Sequence, residues 1–381
     1  MKILFTASQE TCLNNIVEIQ KTNLKENYNF LSTFISQHNL NDFSNYELSQ
    51  LKDLHFDIKN LNLPIYLSKN TDRKLNFFKR YLIYFKNYNL IKNLVDTHDV
   101  FIFSPGGFFE HKISYKAKKY GKKTILIEGG IQSFDKLELN YLNVLGTKIS
   151  KKLKNLFNLD IFKLLIINDP YQEVDFLVTT GRFSKTVWKE QGIPENKILD
   201  IGVPRYNNLS SANKIKNQKN IVYATGSYIF HNDLKGEEED LKNIKELYAL
   251  IKEKRLENVF NIMVHPREMQ SSEKLLYISN MKINQISKDN ELFSHSSVLF
   301  SRHSSLVYEH LASKSNAYFY KPNSSRESIP NVEFTIYDKQ QLNSVLDLYI
   351  ENKLIQNFNL VGDAISDSTN LSTKLILDKC L

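Results

Sequence analysis

The stretch VFIFSPGGFFEHKISYKAKKYGKKTILIEGG, residues 100–130, decides the fold. Val100–Phe103 is a short apolar run of the kind that forms a buried strand. Ser104-Pro105-Gly106-Gly107 is a turn, and Phe108–Tyr120 carries a helical pattern with Gly121 at its C-cap. Thr124–Ile127 is a second apolar run and ends at Glu128-Gly129-Gly130. Strand, glycine turn, helix, glycine and strand make a βαβ unit, which requires a parallel sheet.

The same grammar extends in both directions. Lys2–Ala7 reads as a strand followed by a helix over Cys12–Lys21. Residues 27–95 offer few breakers and read as mostly helical from Arg73 to Val95. Asp175–Thr179, Ser184–Gln191 and Lys197–Ile201 repeat strand, helix, strand, and 203–218 is a polar break that marks a domain boundary. Beyond it, strands are expected at Asn220–Ala224, Val259–Val264, Ser297–Phe300 and Ala317–Tyr320, with helices at Glu238–Lys254 and Leu306–Ala312. The expectation is two Rossmann-like α/β domains, 1–205 and 206–381, with the last helix a candidate to pack back on the first.

The chain has 381 residues, 41% hydrophobic, which supports cores and excludes general disorder. Two cysteines, Cys12 and Cys380, provide no disulfide framework, so a reducing, cytoplasmic compartment is expected. The apolar start is too short for a signal peptide, and no run approaches ~18 apolar residues.

Fifty Lys+Arg against 42 Asp+Glu leave a net charge of +8, which favours anionic partners. The excess is local: residues 69–123 hold thirteen basic and four acidic residues, a balance of +9. Solvated helix faces and a polyanion-binding surface both account for such a stretch. Lys148–Lys163 interleaves lysines with Leu, Ile and Phe, as an interfacial helix or an ordinary core-facing helix does.

In doubly wound sheets, ligands gather at the carboxyl ends of strands. Four polar groups fall there: Glu128, Thr225-Gly226-Ser227, His265-Pro266 and Ser304-Ser305. A partly buried Glu128 suits a general base, and an acid facing a linker or helix end is the plainer alternative. His265, fixed by Pro266, suits a donor to a departing phosphate or a structural hydrogen bond. Ser304 and Ser305 suit phosphate binding or N-capping. There is no GxGxxG, no P-loop, no Asp-x-Asp and no clustered metal-ligand set.

The ordered set Glu128-Gly129, His265-Pro266 and Ser304-Ser305 resembles the acidic-Gly, HP and SS motifs of bacterial sialyltransferases. These are GT-B glycosyltransferases, whose two Rossmann-like domains face across a cleft. Chain length and basic character look most like the capsule polysialyltransferases of glycosyltransferase family 38. One departure is that Ile127 precedes Glu128, leaving one acid in the motif. The resemblance implies inverting transfer of sialic acid from CMP-sialic acid, with no cofactor and no divalent metal. It implies Glu128 as base, His265 as the donor to the leaving CMP, and Ser304 and Ser305 on its phosphate. Pro266, Arg267 and Glu309 are candidates for the nucleoside, and Thr225, Gly226 and Ser227 for the lining of the cleft.

A growing oligo- or polysialic acid acceptor is a polyanion, so Arg73, Lys74, Lys79, Arg80, Lys112, Lys116 and Lys119 are expected to contribute to an acceptor groove. Peripheral contact with the acidic inner face of the cytoplasmic membrane and with capsule machinery would accompany that role. Kdo- or polyol-phosphate-type capsule transferases and UDP-sugar epimerases are the enzyme alternatives. A nucleic-acid partner is disfavoured, because no recognition helix or RNP-like aromatic motif accompanies the lysines.

Overall fold

The computed structural model describes residues 1–7, 10–36, 45–60, 85, 87–104, 108–129, 174–190, 192–206, 219–229, 233–265, 268, 272–287, 292, 296–313, 315–322, 334–354, 365 and 371–381. The chain divides into two compact units, Met1–Asn207 with Asp363–Leu381, and Asn208–Gly362.

The first unit is built on a seven-stranded parallel sheet in the order β3-β2-β1-β4-β5-β6-β7. The strands are β1 (Lys2–Ala7), β2 (Leu31–Ser36), β3 (Asp57–Asn60), β4 (Val100–Ser104), β5 (Lys123–Ile127), β6 (Phe176–Val178) and β7 (Ile198–Leu199). Its helices are α1 (Glu10–Lys25), α2 (Asn45–Asp53), α3 (Tyr88–Thr97), α4 (Phe108–Lys119), α5 (Arg182–Glu190) and the C-terminal α10 (Leu371–Asp378). The apolar runs of β1, β4 and β5 are buried almost throughout, as strands covered on both faces must be. Leu4, Phe101, Phe103, Leu126 and Leu177 form the core with Ile113 and Ala117 of α4 and Trp188 of α5. The last helix packs on α1, where the Thr22 and Thr373 hydroxyls are 2.8 Å apart.

The second unit carries a six-stranded parallel sheet in the order β10-β9-β8-β11-β12-β13. Its strands are β8 (Ile221–Ala224), β9 (Phe260–Met263), β10 (Asn284–Ile286), β11 (Val298–Ser301), β12 (Asn316–Tyr320) and β13 (Thr335–Ile336). Its helices are α6 (Leu234–Glu253), α7 (Glu273–Asn280), α8 (Leu306–Ala312) and α9 (Lys339–Ile350). Helix α6 begins four residues before the expected Glu238, because Asp233 caps it by accepting from the Gly236 N–H at 2.9 Å.

Each sheet reverses its winding once, between β1 and β4 in the first unit and between β8 and β11 in the second. Those reversals, at the carboxyl ends of the strands, are where doubly wound sheets hold ligands. Strands β2 and β3 lie before Arg73, where the sequence marks no element. One expectation needs correction. The strand expected at Lys197–Ile201 is a 3-10 turn, Glu195–Lys197, followed by the two-residue β7.

Candidate functional site

In the first unit, Glu128 directly follows β5 and is fully buried. The parallel pairing of Ile127 with Val178 brings the residues after β6 alongside it. The Thr180 N–H donates to one carboxylate oxygen at 2.7 Å, and the Trp188 indole N–H donates to the other at 2.7 Å. Burial, the dominant effect, lifts the Glu128 carboxyl from 4.5 to about 7, and the Thr180 N–H, the Trp188 indole and the Thr180 and Ser184 hydroxyls oppose it. The outcome is a carboxyl that exchanges its proton near neutrality.

Asn15 of α1 stands at the switch point of this sheet. Its amide donates to the Ser104 hydroxyl at 2.8 Å, and its carbonyl accepts from the Arg205 N–H at 2.9 Å. The Cys12 thiol reaches the Gly129 carbonyl at 3.7 Å, so α1 braces the glycine after Glu128.

In the second unit the strand ends come together through short bonds. The His265 N–H donates to the Thr225 hydroxyl at 3.0 Å, joining the ends of β9 and β8. The Ser301 hydroxyl donates to the Ala224 carbonyl at 2.8 Å and accepts from the Ser304 N–H at 3.2 Å, joining the ends of β8 and β11. Thr225, Gly226, Ser227, His265, Ser304 and Ser305 thus share one edge of one sheet. Ser304 rather than Ser305 satisfies an N–H of α8: its hydroxyl oxygen accepts from Leu306 at 3.3 Å, while Ser305 makes no capping bond. Glu309 lies in the first turn of α8 and is half-buried. Pro266 and Arg267 lie outside the described residues.

Beside that edge Arg302 is buried and ion-paired with Glu239 of α6. Below it, the ammonium of Lys274 is fully buried between Glu237 at 2.8 Å, Asp240 at 3.0 Å and Glu268 at 2.8 Å. It also donates to the Gly226 carbonyl at 2.8 Å. Burial pulls the Lys274 ammonium down, but Asp240 and the bonds to Glu237 and Glu268 outweigh it and leave it above the ordinary lysine range. Burial raises Asp240 and Glu237, with Lys274 opposing in both.

The acceptor-groove expectation divides. Arg73, Lys74, Lys79 and Arg80 lie outside the described residues, as does the whole of 148–163. Lys112 and Lys116, one turn apart on α4, are 3% and 7% exposed and present no surface to a polyanion. Burial lowers Lys112 to about 8, and the Lys116 ammonium sits 3.7 Å above the Tyr88 ring. The helical period of α4 explains this: Lys112, Ile113, Lys116 and Ala117 form one buried stripe, and Lys118 and Lys119 are exposed beside it. Residues that hold the site and escaped the sequence reading are Trp188, Thr180, Asn15, Arg302 and Lys274. Trp188 alone carried a signal, as the single tryptophan in the chain.

Among the described residues, no group of three or more His, Cys, Asp or Glu is arranged to hold a metal ion, and no helix is long and apolar enough to cross a membrane. Both cysteines are buried, and neither is in a disulfide.

No protein-family model matches the chain, and no curated protein matches it. Solved structures do. The UDP-GlcNAc 2-epimerase of Methanocaldococcus jannaschii, in complex with UDP-GlcNAc and UDP, aligns over 100% of both chains at 15% identity with a TM-score of 0.62. The Neisseria meningitidis UDP-GlcNAc 2-epimerase bound to UDP-GlcNAc aligns over 100% of this chain and 99% of its own, at 14% identity and a TM-score of 0.61. A variant of the wall teichoic acid polymerase TagF aligns over 100% of this chain and 88% of its own, at 14% identity and a TM-score of 0.59. At these identities the likeness shows the fold: two parallel α/β units of the GT-B type, shared by epimerases and glycosyltransferases.

Proposed function

We propose that the protein is an inverting, metal-independent glycosyltransferase that moves sialic acid from CMP-sialic acid to a growing oligo- or polysialic acid chain. The observation that carries the reading is Glu128, a buried carboxyl that burial lifts to about 7 although N–H and hydroxyl donors of neutral residues face it. A sugar hydroxyl needs a base that is half-ionised at working pH, and this group is one.

The second unit supplies the donor half of the chemistry. Ser227 offers a hydroxyl contact to a nucleoside beside Gly226, and Glu309 a carboxylate for its ribose. Ser304 spends its oxygen lone pair on Leu306 N–H and keeps its O–H to donate to a phosphate. His265 is half-exposed at the same edge and would protonate or charge-stabilise the departing CMP. A single phosphate leaving group asks less charge compensation than a diphosphate, and hydroxyls with one imidazole can meet it.

A second reading rests on the epimerase likeness over the full length of both chains. On that reading the same edge of the second unit would hold a nucleotide, and the substrate would be UDP-GlcNAc, epimerised at C2 of its sugar.

The deciding experiment incubates the full chain, with metals chelated, with CMP-sialic acid and an oligosialic acceptor. CMP-Kdo, CDP-glycerol and UDP-GlcNAc run as parallel donors. Elongation from CMP-sialic acid that is lost in Glu128→Gln and His265→Ala is the expected result. Elongation persisting in both variants would refute the assigned mechanism, and turnover of UDP-GlcNAc alone would transfer the site to the epimerase reading.

A further inference from the structure

The least economical feature of the second unit is Lys274. An ammonium held at zero exposure among three carboxylates costs more to bury than an aliphatic side chain of its size. Its contacts show where that cost is directed. Lys274 donates to the Gly226 carbonyl at 2.8 Å, while Asp240 accepts from the Gly226 N–H at 3.2 Å, so one glycine is held from both sides. The other oxygen of Asp240 accepts from the Tyr223 hydroxyl at 2.6 Å, which fixes that carboxylate to β8. The Glu268 N–H donates to the His265 carbonyl at 2.9 Å, closing the turn that carries the imidazole, and the Glu268 side chain returns to Lys274.

Resting on the donor-site reading above, we propose that Lys274 is a positioning residue for the nucleotide. Its ammonium couples the loop after β8 to the His265 turn, so that both hold one geometry before the donor arrives. Lys274 touches no substrate in this role; it acts through Gly226 and Glu268. A purely structural lysine would need only its helix partners, Glu237 and Asp240. The hydrogen bond to Gly226 and the ion pair with Glu268 are to the two segments that would meet the ligand, and rigid loops bind without an ordering cost.

The test compares the wild-type chain with Lys274→Met and Glu268→Gln, titrating CMP, and UDP in a second arm, by calorimetry at 25 °C. Denaturation curves and amide exchange over 225–228 and 264–265 accompany the titrations. Removing a charge-assisted bond gives an expected loss in nucleotide affinity of about 10-fold or more for Lys274→Met, and roughly 3- to 10-fold for the near-isosteric Glu268→Gln. Faster exchange confined to the two segments should accompany it. Folded variants that bind nucleotide like the wild type, with only the melting point lowered, would overturn the proposal. If Lys274→Met fails to fold, Glu268→Gln decides by the same criterion. A wild-type chain that binds neither CMP nor UDP refutes the donor-site reading itself, and the inference falls with it.

Discussion

Replacing Glu128 with glutamine isolates the energetics of one buried proton. The carboxyl stands at about 7 in the folded chain against an ordinary 4.5, with burial as the main cause. Between those values the folded state holds a proton that the unfolded state has released, so stability falls as pH rises from 4.5 to 7. Above 7 both states are ionised and the full penalty of about 3 kcal/mol is present; below 4.5 it is absent. Glutamine cannot ionise. It also leaves one of the Thr180 and Trp188 donors facing an NH2 group, a loss of about 1–3 kcal/mol that does not depend on pH. The difference in unfolding free energy between variant and wild type should therefore shift by about 3 kcal/mol in the variant's favour from pH 4 to pH 8. His98, whose imidazole is lowered mainly by burial, titrates in both proteins and cancels.

Trp188 makes the measurement local. It is the only tryptophan, and its indole is bonded to the titrating group. Its fluorescence reports unfolding of the first unit in denaturant and, without denaturant, ionisation of Glu128. The native titration should show a midpoint near 7 that vanishes in Glu128→Gln. Parallel stability curves for the two proteins, or a midpoint near 4.5, would show an ordinary solvated carboxylate and remove the argument for a base at neutral pH.

Three other perturbations follow from the same contacts. Trp188→Phe removes a donor that favours the ionised carboxylate, so the activity limb assigned to Glu128 should move up by roughly one pH unit; an unmoved limb would exclude the indole from that role. Gly226→Ala places a Cβ 2.4 Å from the Tyr228 ring and should cost about 1–3 kcal/mol of second-unit stability, read by denaturation, together with nucleotide affinity. Lys119→Ser and Lys112→Met each remove one positive charge. Only the exposed Lys119 should shorten polymer products at low salt, whereas Lys112→Met should leave product length unchanged.

The sequence disclosed the central strands because their apolar runs are unbroken: Lys2–Ala7, Val100–Ser104 and Ile221–Ala224 are buried on both faces and need no partner to be recognised. The two outer strands on the β3 side of the first sheet were hidden by the opposite property. Asp57–Asn60 is mostly polar, and Leu31–Ser36 mixes Ser and Thr with its apolar residues, so neither stands out from a helical background. Candidate site residues at strand ends were legible through punctuation, the glycines after Glu128 and the proline after His265. Their supports were not. Lys274 sits in a sequence indistinguishable from a solvated helix face, and its burial is decided by where α7 lands on α6. Lys112 and Lys116 show the converse error, in which local charge density suggested a surface and the helix face set a core.

Perturbed carboxyls alone would not choose the base. Burial raises Glu128, Asp240 and Glu237 alike, and by that criterion each is a functional candidate. Their partners discriminate. Asp240 accepts from a tyrosine hydroxyl, a backbone N–H and an ammonium, so most of its acceptor capacity is spent and a cation lies 3.0 Å away. A proton delivered there would have to break an ion pair shared with two other carboxylates. Glu237 is bound to the same ammonium. The donors to Glu128, the Thr180 N–H and hydroxyl, the Trp188 indole and the Ser184 hydroxyl, all belong to neutral residues. Protonating it breaks no ion pair to these partners, and ionising it draws on preset dipoles. The first unit thus carries the group suited to moving a proton, and the second carries fixed charge suited to holding a loop. On the proposed transferase reading, the base would serve the acceptor and the rigid edge the nucleotide.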